Sequence, residues 1–201
     1  APSHLARQLT KGYGIDINIT IPEGFRREQI AEVVEQKLGI KSTDFLIAAP
    51  LKLEGYLFPD TYSFAKEVTA DQVVQSLRSN FDKRTSLLNI SASDVILASI
   101  LERETLSDAE KPIVAGILSK RLKEGWPLEV DASIQYIMGN SKEWWPIPLL
   151  GDRARKSPYN TYLNKGLPPT PIGNPGLISL KAVISPESSP YYFYLHDKSG
   201  N

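Results

Sequence analysis

The sequence contains no cysteine, one methionine and only two histidines among its 201 residues. The lack of cysteine excludes disulfides and cysteine-ligated zinc sites. The histidines, His4 and His196, stand far apart, and neither has partners at the spacing of a metal site or a Ser-His-Asp triad.

The sequence also lacks net charge and long apolar runs. Its 23 basic residues balance its 23 acidic ones, so it has no overall positive field to attract nucleic acid. The longest apolar run, residues 95–101, is interrupted by Ser99 and is far shorter than the roughly 20 residues that span a bilayer. A hydrophobic fraction of 41% and a charged fraction of 23% are typical of an ordinary globular protein.

The N-terminal part predicts a small helix–strand–helix unit. Residues 3–12 are expected to form a short helix between Ser3 and Gly12. Residues 15–21 alternate apolar and polar side chains, which is typical of a half-buried strand. Residues 27–38 have apolar side chains at helical spacing and end before Gly39.

The middle of the chain predicts three further helices. Residues 71–84 form the first, and residues 91–105 form the most apolar one, with Ser91 or Ser93 as N-cap. Residues 107–110 resemble a capping box for a third helix that ends at Gly125. Seven of the fifteen prolines then fall within residues 146–175, which predicts an ordered Pro-rich loop. Residues 177–184 and 191–195 favour a helix and a strand.

Glu104 is the most informative carboxylate. On a helix it shares the face of Leu97, Ile100 and Leu101, whereas Glu102 points roughly to the opposite side. A carboxylate within an apolar stripe is desolvated, which raises its pKa and suits it to act as a general acid. The alternative is structural: Glu104 closes the helix and pairs with an arginine such as Arg103 or Arg121.

For other polar and aromatic residues, the sequence leaves two interpretations, ligand binding and a purely structural role. Glu54 and Asp60 flank an aromatic segment, and either could be a second catalytic carboxylate or a surface residue. In the Pro-rich loop, Tyr159, Asn160, Thr161 and Tyr162 could stack on and hydrogen-bond a sugar, or simply pack.

A third polar and aromatic cluster covers residues 131–136. Asp131 could simply cap the next helix. Gln135 could lie on the surface and Tyr136 in the core, so this cluster alone is a weak signal of function.

Eight segments together resemble the YceG-like (MltG) family of endolytic murein transglycosylases. They are residues 21–24, 54–62, 97–105, 131–136, 159–162, 166–169, 171–172 and 174–176. Asp131-Ala-Ser stands where Asp-Pro-Thr is more usual in the family. The order of these segments, which extends across nearly the whole chain, makes the resemblance specific.

The resemblance implies an α+β fold and two parts. Residues 1–45 would be a partial LysM-like subdomain, followed by a mixed helical and strand catalytic domain over residues 46–201 that contains the Pro-rich loop. The family pattern continues beyond Asn201, so the C-terminal edge of the site is expected to be incomplete. The chain begins abruptly and shows no signal peptide, so we expect it to be the soluble part of a single-pass membrane protein whose catalytic part is periplasmic or extracellular.

The resemblance also implies a chemistry. Glu104 matches the catalytic glutamate that would cleave the MurNAc–GlcNAc bond and leave a 1,6-anhydroMurNAc end, without metal or cofactor. Substrate-binding roles are expected for a larger set, namely Glu54, Asp131, Ser133, Gln135, Tyr136, Tyr159, Asn160, Thr161 and Tyr162. Peptidoglycan glycan strands, and possible contacts with cell-wall synthesis proteins, would be the partners; nucleic acid would not. The alternatives are a lysozyme-like hydrolase and a non-catalytic glycan-binding module.

Overall fold

The computed structural model describes residues 16–194, so the helix predicted over residues 3–12 lies outside the described residues. Strands β1 (Ile17–Thr20) and β2 (Thr61–Phe64) form a two-stranded antiparallel sheet in which Ile17 lies opposite Phe64. The helices are α1 (Arg27–Leu38), α2 (Ser42–Ala48), α3 (Ala70–Thr85), α4 (Ala92–Glu104), α5 (Lys111–Lys123), α6 (Asp131–Met138) and α7 (Leu177–Ile184). Two short 3-10 helices span Leu51–Leu53 and Leu150–Ala154. The α+β prediction is confirmed.

Local sequence signals account for the ends of several helices. Helix α1 ends at Gly39, which adopts φ +71°, a conformation that glycine accepts without steric cost. Helix α4 begins after Ser91, whose Oγ accepts from the Asp94 amide at 3.2 Å while Asp94 Oδ2 accepts from the Ser91 amide at 2.8 Å. The predicted positions of α1, α3, α4 and α7 are confirmed.

Two predictions about local structure are wrong. Helix α5 begins at Lys111 with Glu110 as N-cap, and Ser107 donates to the Glu110 carboxylate instead of capping the helix. Pro112 lies in its first turn, where no amide donor is needed. Residues 191–194 form no strand, because side chains of α5 rather than a neighbouring strand bind their carbonyls; Arg121 Nε donates to the Tyr192 carbonyl at 2.6 Å.

The buried apolar side chains form two clusters. The first joins β1, α1, α2, β2 and α3 through residues such as Ile19, Phe45 and Leu77. It therefore contains residues from both sides of position 45. The second surrounds α4, which contacts α5, α6 and α7. The boundary expected between residues 45 and 46 stays a prediction.

A buried polar joint connects the two clusters. The Glu54 side chain is fully buried, and its carboxylate accepts from the Arg27 amide at 3.1 Å and from Asn174 Nδ2 at 2.8 Å. Asn174 also donates to the Phe25 carbonyl at 2.9 Å and accepts from the Leu57 amide at 2.8 Å. These bonds hold together the turn before α1, residues 54–57 and the end of the Pro-rich segment.

Within residues 16–194, no helix is both long enough and apolar enough to cross a bilayer.

The buried Glu54 predicts a pH-dependent stability. Burial, reinforced by the charge of Glu28, raises the pKa of Glu54 from 4.5 to about 8. The folded state therefore keeps a proton that the unfolded chain releases above pH 4.5, and the free energy of unfolding falls as pH rises from 4.5 to about 8. In Glu54→Gln the decrease in the free energy of unfolding over this pH range should be smaller by on the order of a few kcal/mol. Urea unfolding at about pH 5 and about pH 9 measures it.

The matched control is Glu67→Gln, since Glu67 is exposed and its loss should leave the pH dependence as in the wild type. An equal fall in the free energy of unfolding for wild type and Glu54→Gln would contradict the prediction.

Candidate active site

Glu104 stands at the end of α4 and opens into a cleft of about 390 Å³. The cleft is lined by Glu104, Arg121, Glu129, Asp131, Arg153, Tyr162, Phe193 and Tyr194. A larger surface hollow of about 540 Å³ lies beside α3, but its lining includes one carboxylate, Glu67, and no aromatic ring. The concentration of carboxylates, arginines and aromatic rings marks the cleft at Glu104 as the candidate active site.

Among residues 16–194, donors from two different parts of the chain hold the Glu104 carboxylate. Its Oε1 accepts from the Ala132 amide at 3.0 Å, and its Oε2 accepts from the Tyr194 hydroxyl at 2.8 Å. Ala132 belongs to the first turn of α6, where unpaired amides and the helix dipole favour negative charge. The C-terminal end of α4 disfavours the negative charge of Glu104, and the positively polarised start of α6 compensates for this.

The arginines considered as partners of Glu104 have prominent contacts of their own. The Arg103 guanidinium lies 4.2 Å from the centre of the Trp145 ring. Arg121 Nη1 donates to the Leu128 carbonyl at 2.6 Å, which joins α5 to the segment that leads into α6. Arg121 thus lines the cleft beside Glu104, whereas Arg103 packs on Trp145 outside the cleft lining. The protonation predicted for Glu104 near neutral pH stays a prediction.

Glu102 serves the framework on another side of α4. Its Oε1 accepts from Lys111 Nζ at 2.9 Å and its Oε2 accepts from the Gly176 amide at 2.8 Å. Lys111 is buried and also pairs with Asp108 at 2.8 Å. Two glutamates that are two positions apart on α4 therefore occupy different environments, as the helical geometry predicts.

Asp131 lines the cleft and is fixed by two side chains. Tyr162 Oη donates to its Oδ1 at 2.6 Å, and Arg153 Nη2 lies 3.2 Å from the same oxygen. Burial and the nearby Asp131 charge raise the pKa of Tyr162, so this phenol remains a donor at working pH. The idea that Asp131 caps α6 is wrong, because Val130 is the N-cap and Asp131 is the first helical residue.

Ser133, Asn160 and Thr161 are buried behind the cleft wall. Thr161 Oγ1 accepts from the Val130 amide at 3.0 Å and lies 2.9 Å from Ser133 Oγ. Asn160 Nδ2 donates to the Arg153 carbonyl at 2.9 Å. These bonds fasten the Pro-rich segment to the start of α6, and so they place Asp131 and Tyr162 relative to Glu104.

The remaining predicted site residues do not line this cleft. Tyr136 packs against Tyr159, with ring centres 4.8 Å apart, and the Arg26 guanidinium lies 4.1 Å from the Tyr136 ring centre. Tyr159 Oη bonds Thr170 Oγ1 at 2.7 Å. Gln135 is half-buried on α6, and Glu54 lies in the buried joint. Of the predicted set, the cleft brings together Glu104, Asp131 and Tyr162.

Sequence reasoning assigned no site role to several cleft residues, namely Arg121, Glu129, Arg153, Phe193 and Tyr194. Glu129 has φ +49°, a rare backbone conformation for a residue with a side chain, and such strain is often found at functional sites. In the sequence, the feature that could have indicated Glu129 as a site residue is its position two residues before Asp131. Arg153 and Tyr194 follow no periodic pattern, so only the folded chain brings them to Glu104.

Within residues 16–194, no group of three or more histidine or carboxylate side chains is arranged to hold a metal ion.

The chain resembles known proteins over nearly its whole length. The model of the YceG-like family matches residues 1–201. A Bacillus subtilis protein named endolytic murein transglycosylase is 32% identical, and the match covers 98% of this chain and 64% of that protein. A Streptococcus pneumoniae protein of the same name is 28% identical, with 96% and 44% covered.

A solved structure agrees with the fold. The crystal structure of a yceG-like protein from Listeria monocytogenes superimposes with a TM-score of 0.80 at 26% identity, and the match covers 98% of this chain and 75% of that one. The chain spans about half the length of the curated relatives it matches, from 44% to 64%.

The buried hydroxyl of Thr161 should be required for a stable cleft wall. Thr161→Val keeps the shape but leaves the Val130 amide without its acceptor, which should lower the free energy of unfolding by about 1–3 kcal/mol. The control is Thr61→Val, an exposed strand position where valine is tolerated. Chemical denaturation measures both, and equal stabilities of the two variants would contradict the prediction.

Proposed function

Because the chain belongs to the YceG-like family, we propose that it is an endolytic murein transglycosylase that cleaves peptidoglycan glycan strands between MurNAc and GlcNAc. The observation that carries the proposal is the Glu104 carboxylate, held at the cleft between the Ala132 amide and the Tyr194 hydroxyl. A carboxyl group fixed in this way can transfer a proton to a bound substrate without first reorganising.

In the proposed reaction Glu104 acts first as an acid and then as a base. Its proton passes to the oxygen that bridges MurNAc and GlcNAc while the C1–O bond breaks and positive charge develops on the MurNAc ring. The carboxylate then takes the proton of the MurNAc C6 hydroxyl as that oxygen attacks C1. A 1,6-anhydro ring closes and no water is consumed. One carboxylate suffices because the nucleophile belongs to the substrate.

The cleft offers the contacts that a sugar needs. Tyr162 and Phe193 present ring surface against which a pyranose can pack, and Asp131 and Arg153 provide hydrogen-bonding groups. We propose that Ser133, Asn160 and Thr161 contribute by holding this wall, since they are buried. Correct placement of a reacting group can contribute several orders of magnitude in rate.

Tyr136 and Tyr159 pack against each other outside the cleft lining. We propose that they, with Gln135, support the glycan further along the strand. Glu54 contributes by bracing the joint beneath the site, because its carboxylate is bonded to Arg27 and Asn174.

We further propose that residues 1–45 are part of a LysM-like subdomain and that residues 46–201 carry catalysis. The two tryptophan indoles after α6 support close cooperation between the parts, because Trp144 Nε1 donates to Glu32 and Trp145 Nε1 donates to Gln29, both on α1. The working protein would be anchored in the membrane, with this part on the periplasmic or extracellular side, where glycan strands and the proteins that synthesise them are located.

Digestion of purified glycan strands tests the activity. Wild type should release fragments that end in 1,6-anhydroMurNAc, and Glu104→Gln should lower the rate by about 10³-fold, because general acid–base catalysis typically contributes 10²- to 10⁴-fold. Mass spectrometry of the fragments identifies the ends.

The matched control is Glu102→Gln, which changes a neighbouring glutamate bonded to Lys111 and Gly176. Glu102→Gln should be less stable than the wild type but should release the same products. Ordinary reducing ends alone would indicate a lysozyme-like hydrolase, with Glu129 or Asp131 as the second carboxylate. Binding of strands without any new ends would indicate a glycan-binding module.

A further inference from the structure

We propose that Tyr194 is a positioning residue for the reaction. Its hydroxyl favours Oε2 of Glu104 as the oxygen that carries the transferred proton. The inference rests on the proposed function. It starts from two hydrogen bonds that described residues make to the Glu104 carboxylate and that come from chemically different donors.

The segment that carries Tyr194 is fastened to α5. Arg121 Nε donates to the Tyr192 carbonyl at 2.6 Å, and Lys120 Nζ donates to the Pro190 carbonyl at 3.0 Å. The Tyr192 ring stacks on Trp126, with centres 4.8 Å apart. These contacts fix the path of residues 190–194, so the Tyr194 hydroxyl is delivered to Glu104 at a defined position.

The two oxygens of Glu104 are not equivalent. The Ala132 amide at Oε1 can only donate, and a protonated carboxyl oxygen is a poor acceptor, so this bond favours Oε1 as the carbonyl oxygen. The Tyr194 hydroxyl at Oε2 can donate or accept. When Glu104 is protonated, the proton therefore belongs on Oε2, where the hydroxyl can rotate to suit it.

This arrangement fits both halves of the reaction. In the first half, the proton leaves Oε2 for the glycosidic oxygen, and Tyr194 then donates to the carboxylate that remains. In the second half, Oε2 takes the proton from the C6 hydroxyl as C1 is attacked. Burial and the charge of Glu104 raise the pKa of Tyr194, so the phenol keeps its own proton throughout.

Other charged groups face Glu104 from each element around the cleft. Within residues 16–194 they are Arg103 on α4, Arg121 on α5, Glu129 before α6, Asp131 on α6 and Arg153 in the 3-10 helix, together with the phenol of Tyr162. Tyr194→Phe leaves all of these in place, so a changed pH dependence in this variant reports the lost hydroxyl.

The experiment compares pH profiles of kcat/KM on purified, peptide-free glycan strands. Tyr194→Phe should lower the plateau by about tenfold to a hundredfold, because a hydrogen bond to a charged group is lost. The alkaline limb should move up by about one pH unit, because the charged form of Glu104 loses a donor. The ring is retained, and the urea midpoint of the variant checks that the fold is intact.

Tyr192→Phe is the matched control. It removes a hydroxyl from the same segment that bonds Glu124 instead of Glu104, so its alkaline limb should coincide with that of the wild type. An unmoved limb in Tyr194→Phe, whether or not the plateau falls, would overturn the inference while leaving the proposed function intact. Absence of 1,6-anhydro ends from the wild type would overturn both.

Discussion

The hydrogen bond from the Ala132 amide to Glu104 ties the end of α4 to the start of α6, and the geometry of the cleft depends on it. The bond joins the most apolar helix of the chain to the positively polarised end of another. Because α4 is packed on several sides by α5, α6 and α7, Glu104 cannot drift from this position without disturbing the core. A rigid apolar helix thus carries Glu104 to the edge of the core.

The polar groups behind the cleft serve to hold α6 at the required place. Thr161 and Ser133 bond each other and the Val130 backbone, and they are shielded from water. Buried hydrogen bonds of this kind are costly to leave unmade, so they specify one arrangement rather than several. Ser133 and Thr161 therefore belong to the buried frame of the wall, and Asp131, Arg153 and Tyr162 line the cleft.

A second polar joint relates the small sheet and its helices to the cleft. Glu54 and Asn174 connect the turn before α1 with the Pro-rich segment, which also supplies Arg153 and Tyr162 to the cleft. A perturbed carboxylate is often taken as a sign of catalysis. Here the raised pKa of Glu54 follows from complete burial at a structural joint, and the carboxyl groups that line the cleft are those of Glu104, Glu129 and Asp131.

By itself, the sequence determined the local structure, namely the positions of several helices and their caps. The periodicity and caps of α1, α3, α4 and α7 depend on neighbours within one or two turns, and the same helical geometry distinguishes Glu104 from Glu102. The surroundings of Glu104 were decided only by the tertiary structure. Glu129, Arg153 and Tyr194 approach it from 25, 49 and 90 positions away along the chain, and no local pattern encodes such distances. The burial of Glu54 and the bonds from Ala132 and Tyr194 to Glu104 likewise arise from the packing of remote segments, which is why helix geometry could distinguish Glu104 from Glu102 but could not identify its partners.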